Sequence, residues 1–269
     1  MRGALPEYGI PLSEGTCGVA VRASVLHVRV PFGCGGKPPV LALPCGRGGG
    51  PAGHFGSRGA PDGAWGGAAM LTIGLTGPTG AGKSTVAGLF ASFGLPILDA
   101  DRIYRELLIP PSDCLSELVR HFGREILAAD GTLNRRALGR LVFSDPTELE
   151  VLNGISHRYV MNDVRRRLRG LRTDGCPAAV FDAPQLFEAG AEGLCNIIVS
   201  VLASPEVRLG RIMARDGISE EAARERMAAQ RSDSFFRSHS DYIIENNGGT
   251  EPLTASVRRI LSETGVLGE

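Results

Sequence analysis

Gly77-Pro78-Thr79-Gly80-Ala81-Gly82-Lys83-Ser84 is the stretch on which the fold turns, and its spacing is GxxxxGK[ST]. The short apolar run Leu71-Thr72-Ile73-Gly74-Leu75 precedes it, and Val86, Leu89 and Phe90 follow at helical spacing. Strand, glycine-rich turn and helix in that order are the setting in which this spacing holds phosphate. Glycines at 77, 80 and 82 let the backbone wrap an anion with its N–H groups, with Thr79 and Ala81 between them, and the helix directs its positive end at the same oxygens. Lys83 is expected to bridge the β- and γ-phosphates of a nucleotide, and the Ser84 hydroxyl to ligate Mg²⁺. A plain strand–helix turn would not explain Lys83. The chain has 29 basic residues, and all but Lys37 and Lys83 are Arg.

Outward from the loop, the chain alternates short apolar runs with helical patterns. Leu95–Leu98, Ala178–Asp182, Asn196–Leu202 and Asp241–Ile244 read as four further strands, for five in all. Between them lie helical regions at about 103–173, from Pro205, after Ser219, and over 253–264. Asp145-Pro146-Thr147-Glu148 supplies an N-cap, a proline at the first helical position and an acid two residues on. Such alternation predicts an α/β fold with a mostly parallel five-stranded sheet flanked by helices.

Residues 1–69 differ from the rest. They hold 17 of the 37 Gly and 8 of the 17 Pro. Runs such as Gly46-Arg47-Gly48-Gly49-Gly50-Pro51 bury too little apolar surface to offset the entropy of ordering them. The folded unit is therefore expected over 70–269, with translation starting at Met70; a disordered natural tail is the alternative. The balanced charge, 29 basic against 29 acidic residues, argues against nucleic-acid binding, which needs clustered cations. No uninterrupted apolar run of about 18 residues predicts a membrane span. The six Cys lack metal-binding spacing and are read as structural.

A phosphate loop alone leaves switches, motors, transporters and kinases open. No Lys remains for the N-K-x-D guanine motif, and no L-S-G-G-Q signature is present. A small kinase needs an acceptor pocket, a base and a cationic lid. Asp99 and Asp101 lie just beyond the second strand, where open α/β sheets bind ligands. A carboxylate there can orient and deprotonate an attacking hydroxyl. Spacing alone leaves open which of the two faces the phosphates, and whether they merely cap a helix. Arg208, Arg211 and Arg215 share one helix face, at i, i+3 and i+7. They read either as a solvated face or as a lid whose guanidinium forks engage phosphate.

Taken in order, these motifs resemble the dephospho-CoA kinase family. The resemblance runs from about Met70 to Gly265 through the loop and Thr85, Asp99-Ala100-Asp101-Arg102-Ile103, and Asp130-Gly131-x-Leu133-Asn134-Arg135. It continues through Leu152-Asn153 with His157, Asp182-x-Pro184-x-Leu186-Phe187-Glu188, Arg211, Arg215, Gln230 and Asn246-Asn247-Gly248. It implies ATP-dependent phosphorylation of the ribose 3′-hydroxyl of dephospho-CoA, the last step of CoA biosynthesis, with Mg²⁺. It makes Asp101 the base and Asp99 a substrate-side residue, with Lys83 and Arg211 catalytic. It places ATP on Gly77, Thr79 to Thr85, Arg215 and Asn247, the last near adenine. It assigns His157, Pro184, Leu186 and Phe187 to the acceptor pocket, about 104–175 to a helical CoA-binding subdomain, and about 205–238 to a helical lid. A cytoplasmic monomer or small homo-oligomer is implied.

The chain departs from the family pattern in three places. His157-Arg158 stands for His-Pro, Pro184-Gln185-Leu186 for Pro-Leu-Leu, and Pro78, Thr79 and Ala81 for a Gly-Ile-x-Ser pattern. None removes a phosphate ligand, and two fall on the acceptor side. Competing readings are a kinase acting on a nucleoside, nucleotide or shikimate-like acceptor, and a non-catalytic nucleotide-binding module.

Overall fold

The structure, a computed structural model, describes residues 70–267. The expectations for 1–69 lie outside these residues. Five strands, β1 (Leu71–Thr76), β2 (Ile97–Asp99), β3 (Ala178–Asp182), β4 (Ile197–Leu202) and β5 (Tyr242–Glu245), form one sheet. Their order is β2-β3-β1-β4-β5, and every pairing is parallel. Parallel neighbours need long crossovers, which helices supply here.

β1 and β3 are buried at every residue. That burial matches their continuous apolar reading, because both faces of the sheet are covered. Ile73, Leu75, Val180, Val199 and Val201 pack on one side with Val86 and Phe90 of α1 (Lys83–Ser92) and Val257 and Ile260 of α9 (Thr250–Glu263). Ala179, Phe181 and Ile198 face the other side, where helices inserted between β2 and β3 form the second core. Alternate strand residues thus feed two apolar layers, as a pleated sheet requires.

The long helical region resolves into α2 (Ala100–Glu106), α3 (Asp113–Phe122), α4 (Arg135–Ser144) and α5 (Pro146–Thr173). Its breaks fall at Pro110-Pro111, at Gly123 with φ +84°, at Asp130-Gly131, and at Asp145-Pro146. α5 starts on Asp145, whose side chain accepts from Thr147 N, with Pro146 in the first turn. Its buried face, including Leu152, Val160, Val164 and Leu168, forms the spine on which α2, α3 and α4 pack. β2 begins at Ile97 rather than Leu95, since Pro96 has no N–H for a ladder.

α6 (Pro205–Asp216), α7 (Glu220–Ala228) and α8 (Asp233–His239) follow β4. Serines 204, 219 and 232 cap them, each hydroxyl accepting from an N–H of the first turn. α8 has no counterpart in the apolar pattern, being only seven residues long. α9 starts three residues before the expected Leu253, because Pro252 is tolerated within a first turn.

Candidate active site

The turn from β1 to α1 depends on Gly77, Gly80 and Gly82, all at positive φ, and the first and last are the most tightly enclosed. Gly77 has φ +142°, and a Cβ there would lie 2.2 Å from the Val201 carbonyl oxygen. Gly82 has φ +89°, and its Cβ would lie 2.1 Å from Asn246 Nδ2. No side chain caps α1 and no acid occupies its first turn, so its own sequence leaves its positive end open to an anion.

Lys83 forms an ion pair with Asp182 at the end of β3. Pairing of Asp182 with Leu75 on one side and Asp99 on the other sets this carboxylate at the carboxyl edge of the sheet, between the phosphate loop and α2. Burial pushes the Asp182 carboxyl above its ordinary range, against the pull of Lys83, and the charges of Asp99 and Asp101 push the same way. Three aspartates therefore share one neighbourhood. Asp99 serves as N-cap of α2, its Oδ1 accepting from Arg102 N at 3.0 Å. Asp101, in the first turn, lines a cavity with Tyr104, His157, Phe181, Pro184 and Gln185.

That cavity lies between the sheet edge and α5. Tyr104 is 2% exposed, its hydroxyl 3.3 Å from Ser156 Oγ, and burial pushes its phenol up to about 12. Burial lowers the His157 pKa. Leu186 is wholly buried in the core, and Phe187 packs edge-on against Phe235 of α8 at 5.2 Å between ring centroids. Neither lines the cavity. Arg158 pairs with Glu117 of α3 on the outer side of α5.

The three arginines of α6 have separate surroundings. Arg208 is 5% exposed; its Nε donates to the Thr79 carbonyl at 3.0 Å, and its other nitrogens reach Asp233 and Gln230. Arg211 donates to the carbonyls of Gly80, Ala81 and Asn246 and to Asn246 Oδ1. Arg215 pairs with Asp216 and reaches Thr79 Oγ1 at 3.4 Å. Gln230 Oε1 accepts from Thr79 N at 2.9 Å. Thr79 is thus bonded at its amide, carbonyl and hydroxyl.

Asn247 lies exposed beyond β5, its Oδ1 accepting from Ser204 N at 2.6 Å. The neighbour that reaches the loop is Asn246, 3% exposed, whose Nδ2 donates to the Ala81 carbonyl at 2.8 Å. Sequence reasoning gave no site role to Asn246 or Asp182. A charged residue closing an apolar strand was a usable signal for Asp182. Asn246 stood in a motif of the resemblance, but nothing local tied it to the loop, because its contact spans 165 positions.

A parallel sheet of this order, with a phosphate loop after its first strand and an aspartate-lined cavity beside it, defines a P-loop kinase. A family model described as dephospho-CoA kinase matches residues 71–252. The dephospho-CoA kinase of Syntrophotalea carbinolica is 41% identical over 193 residues, covering 72% of this chain and 92% of the relative. That of Moorella thermoacetica is also 41% identical, over 195 residues, with the same two coverages of 72% and 92%. A Thermus thermophilus crystal structure superposes with TM-score 0.63 at 36% identity, covering 72% of this chain and 97% of that one. A Campylobacter jejuni dephospho-CoA kinase shares the fold, with TM-score 0.56 at 24% identity over 73% and 98% of the two chains. The chain belongs to the dephospho-CoA kinase family.

Proposed function

We propose that the chain transfers the γ-phosphoryl group of ATP to the ribose 3′-hydroxyl of dephospho-CoA, giving coenzyme A and ADP. The observation that carries this reading is the shared edge: Lys83 in the loop, Asp182 between strands, and Asp101 on the wall of an adjoining cavity. Donor and acceptor sites meet there.

In this reading the loop backbone and the start of α1 hold the β- and γ-phosphates, with Ser84 and Thr85 in the first turn. Lys83 exchanges Asp182 for phosphate oxygens. Asp101 takes the proton of the 3′-hydroxyl as its oxygen attacks phosphorus, and the bond from phosphorus to the β–γ bridging oxygen breaks to release ADP. Arg211 and Arg215 offset charge on the transferring group, and closure of α6–α8 as a lid keeps water from taking the phosphoryl. Asn247 borders the side assigned to the adenine of ATP. The helices of 104–175 hold the CoA portion, with His157 and Pro184 on the cavity wall.

The oxygen donors near the loop fit Mg²⁺, which takes one or two protein ligands beside substrate phosphates. Ser84 would hold it with Asp182 alongside, and a bound ion would offset charge on the phosphate oxygens. No helix among the described residues is long and apolar enough to cross a membrane. We read the enzyme as cytoplasmic, a monomer or small homo-oligomer.

The test is turnover of the purified chain with ATP and dephospho-CoA, following ADP and 3′-phosphorylated product. Turnover with a nucleoside, a nucleotide or shikimate, and none with dephospho-CoA, would replace this reading. ATP binding without ADP release on any acceptor would leave a binding module.

A further inference from the structure

Two neighbouring residues at the junction of α7 and α8, Gln230 and Arg231, bond to different parts of the molecule. Gln230 Oε1 accepts from the Thr79 amide at 2.9 Å and from Arg208 at 3.3 Å, and so holds the phosphate loop. Arg231 Nε donates to Glu188 Oε1 at 2.8 Å, and its guanidinium lies 4.2 Å from the centre of the Phe235 ring. Phe235 meets Phe187, the residue before Glu188, and Phe187 also lies 6.1 Å from the buried ring of Phe236. An ion pair and an aromatic cluster thus fasten the start of α8 to one short stretch of chain.

That stretch forms part of the cavity wall. Ala183, Pro184, Gln185 and Ala189 line the cavity, whereas Phe187 and Glu188 do not. It is bonded internally: Leu186 N donates to the Ala183 carbonyl, Ala189 N to that of Gln185, and Ala191 N to that of Leu186. A displacement at Glu188 is therefore carried to the lining residues. Transfer between two bound reactants needs the reacting atoms held about 3–3.5 Å apart and aligned, and small misplacements cost rate. A segment that grips both the loop and the wall is suited to set that separation.

We infer that Gln230 and Arg231 clamp the phosphate loop to the acceptor wall, with Arg231 a positioning residue that acts through Glu188. Arg231 touches neither substrate in this account. It aligns the wall against which the acceptor lies. This rests on the acceptor reading of the cavity given above. The paired side chains are 41% and 38% exposed, so the bond adds little to stability and its effect falls on alignment.

The experiment is steady-state kinetics of the full chain with ATP, Mg²⁺ and dephospho-CoA. Arg231→Gln and Glu188→Gln should each lower kcat/KM for dephospho-CoA about fivefold, the factor that one exposed ion pair can supply. KM for ATP should stay within about twofold and Tm within about 1 °C, since the aromatic packing is retained. The two substitutions together should cost no more than either alone, because they remove the same bond. Single variants with wild-type kcat/KM, losses that add, or a fall in rate shared by Tm and KM for ATP overturn the inference. A second readout needs no turnover: hydrogen exchange at residues 183–191, with and without a non-hydrolysable ATP analogue. The analogue should slow exchange there several-fold in wild type and leave it unchanged in Arg231→Gln. Wild-type amides indifferent to the analogue, or an Arg231→Gln variant that keeps the response, overturn the inference whatever the acceptor. No turnover of dephospho-CoA beside an intact exchange response would refute the kinase reading alone.

Discussion

Lys83 Nζ donates to Asp182 Oδ1, so the lysine of the phosphate loop is held by β3, the neighbour of the strand that leads into that loop. Nucleotide phosphate must compete with that carboxylate. Asp182→Asn removes the competitor, and metal-free ATP should bind several-fold more tightly in an equilibrium titration. With Mg²⁺ present, kcat should fall at least about tenfold, since a positioning carboxylate beside the ion is lost. Thermal unfolding should show a loss of about 1–3 kcal/mol from the Lys83 charge left without its partner.

Asp101 lines the cavity beside α5 while Asp99 caps α2. Asp101→Asn should lower kcat by about 10²–10⁴, the range for removing a general base. ATP affinity, measured separately, should stay within about twofold. Single-turnover kinetics of the variant with full activity would remove Asp101 from the mechanism.

Gly82 has no room for a side chain. A methyl group there meets Asn246 Nδ2 at 2.1 Å and imposes a left-handed conformation on an L-residue. The conformation alone costs about 1–2 kcal/mol. With the Asn246–Ala81 bond displaced as well, Gly82→Ala should weaken ATP binding by roughly thirtyfold. Asn246→Ala keeps the loop conformation, and the same titration should show a smaller loss.

Arg208 and Arg215 lie on one helix yet should fail in different assays. Arg208 is buried against Thr79, Gln230 and Asp233, so Arg208→Ala should destabilise the fold by about 2 kcal/mol, or roughly 4–8 °C in Tm. Arg215 is largely exposed. Arg215→Ala should leave Tm within about 1 °C, as is usual for an exposed position, and lower kcat. Calorimetry and kinetics on both variants separate structural support from lid chemistry.

His157 adds an acid-sensitive increment to stability. Burial depresses its folded pKa below the ordinary imidazole value of 6.5. Between the two values the unfolded chain binds more protons than the folded one. The contribution is thus complete above 6.5 and is lost as pH falls through the folded value. His157→Gln should flatten the pH dependence of Tm below 6.5 and leave it unchanged above.

The parts of the fold read most directly from sequence are those written locally. Buried parallel strands appear as unbroken apolar runs, and α5 announces its start through Asp145-Pro146. The division of labour between Asp99 and Asp101 was open, since residues two apart share one face only while a strand continues. It ends at Asp99 and α2 begins at Ala100. The arginine face was legible as spacing, but its gradation from buried to exposed depends on Asp233 and Gln230, which arrive from after α7. Lys83 with Asp182, and Ala81 with Asn246, join positions 99 and 165 apart, and no local pattern carries such pairs.

Of the three bonds to Thr79, two go to its backbone. Every L-residue other than proline offers the same amide and carbonyl, so the grip of Gln230 and Arg208 on the loop is blind to the side chain at 79. In a saturation library this position should tolerate many substitutions, forfeiting at most the Arg215 contact, while changes at 208 or 230 are depleted. The Thr at 79, where the family pattern has Ile, is then a difference that the bonds from Gln230 and Arg208 never register.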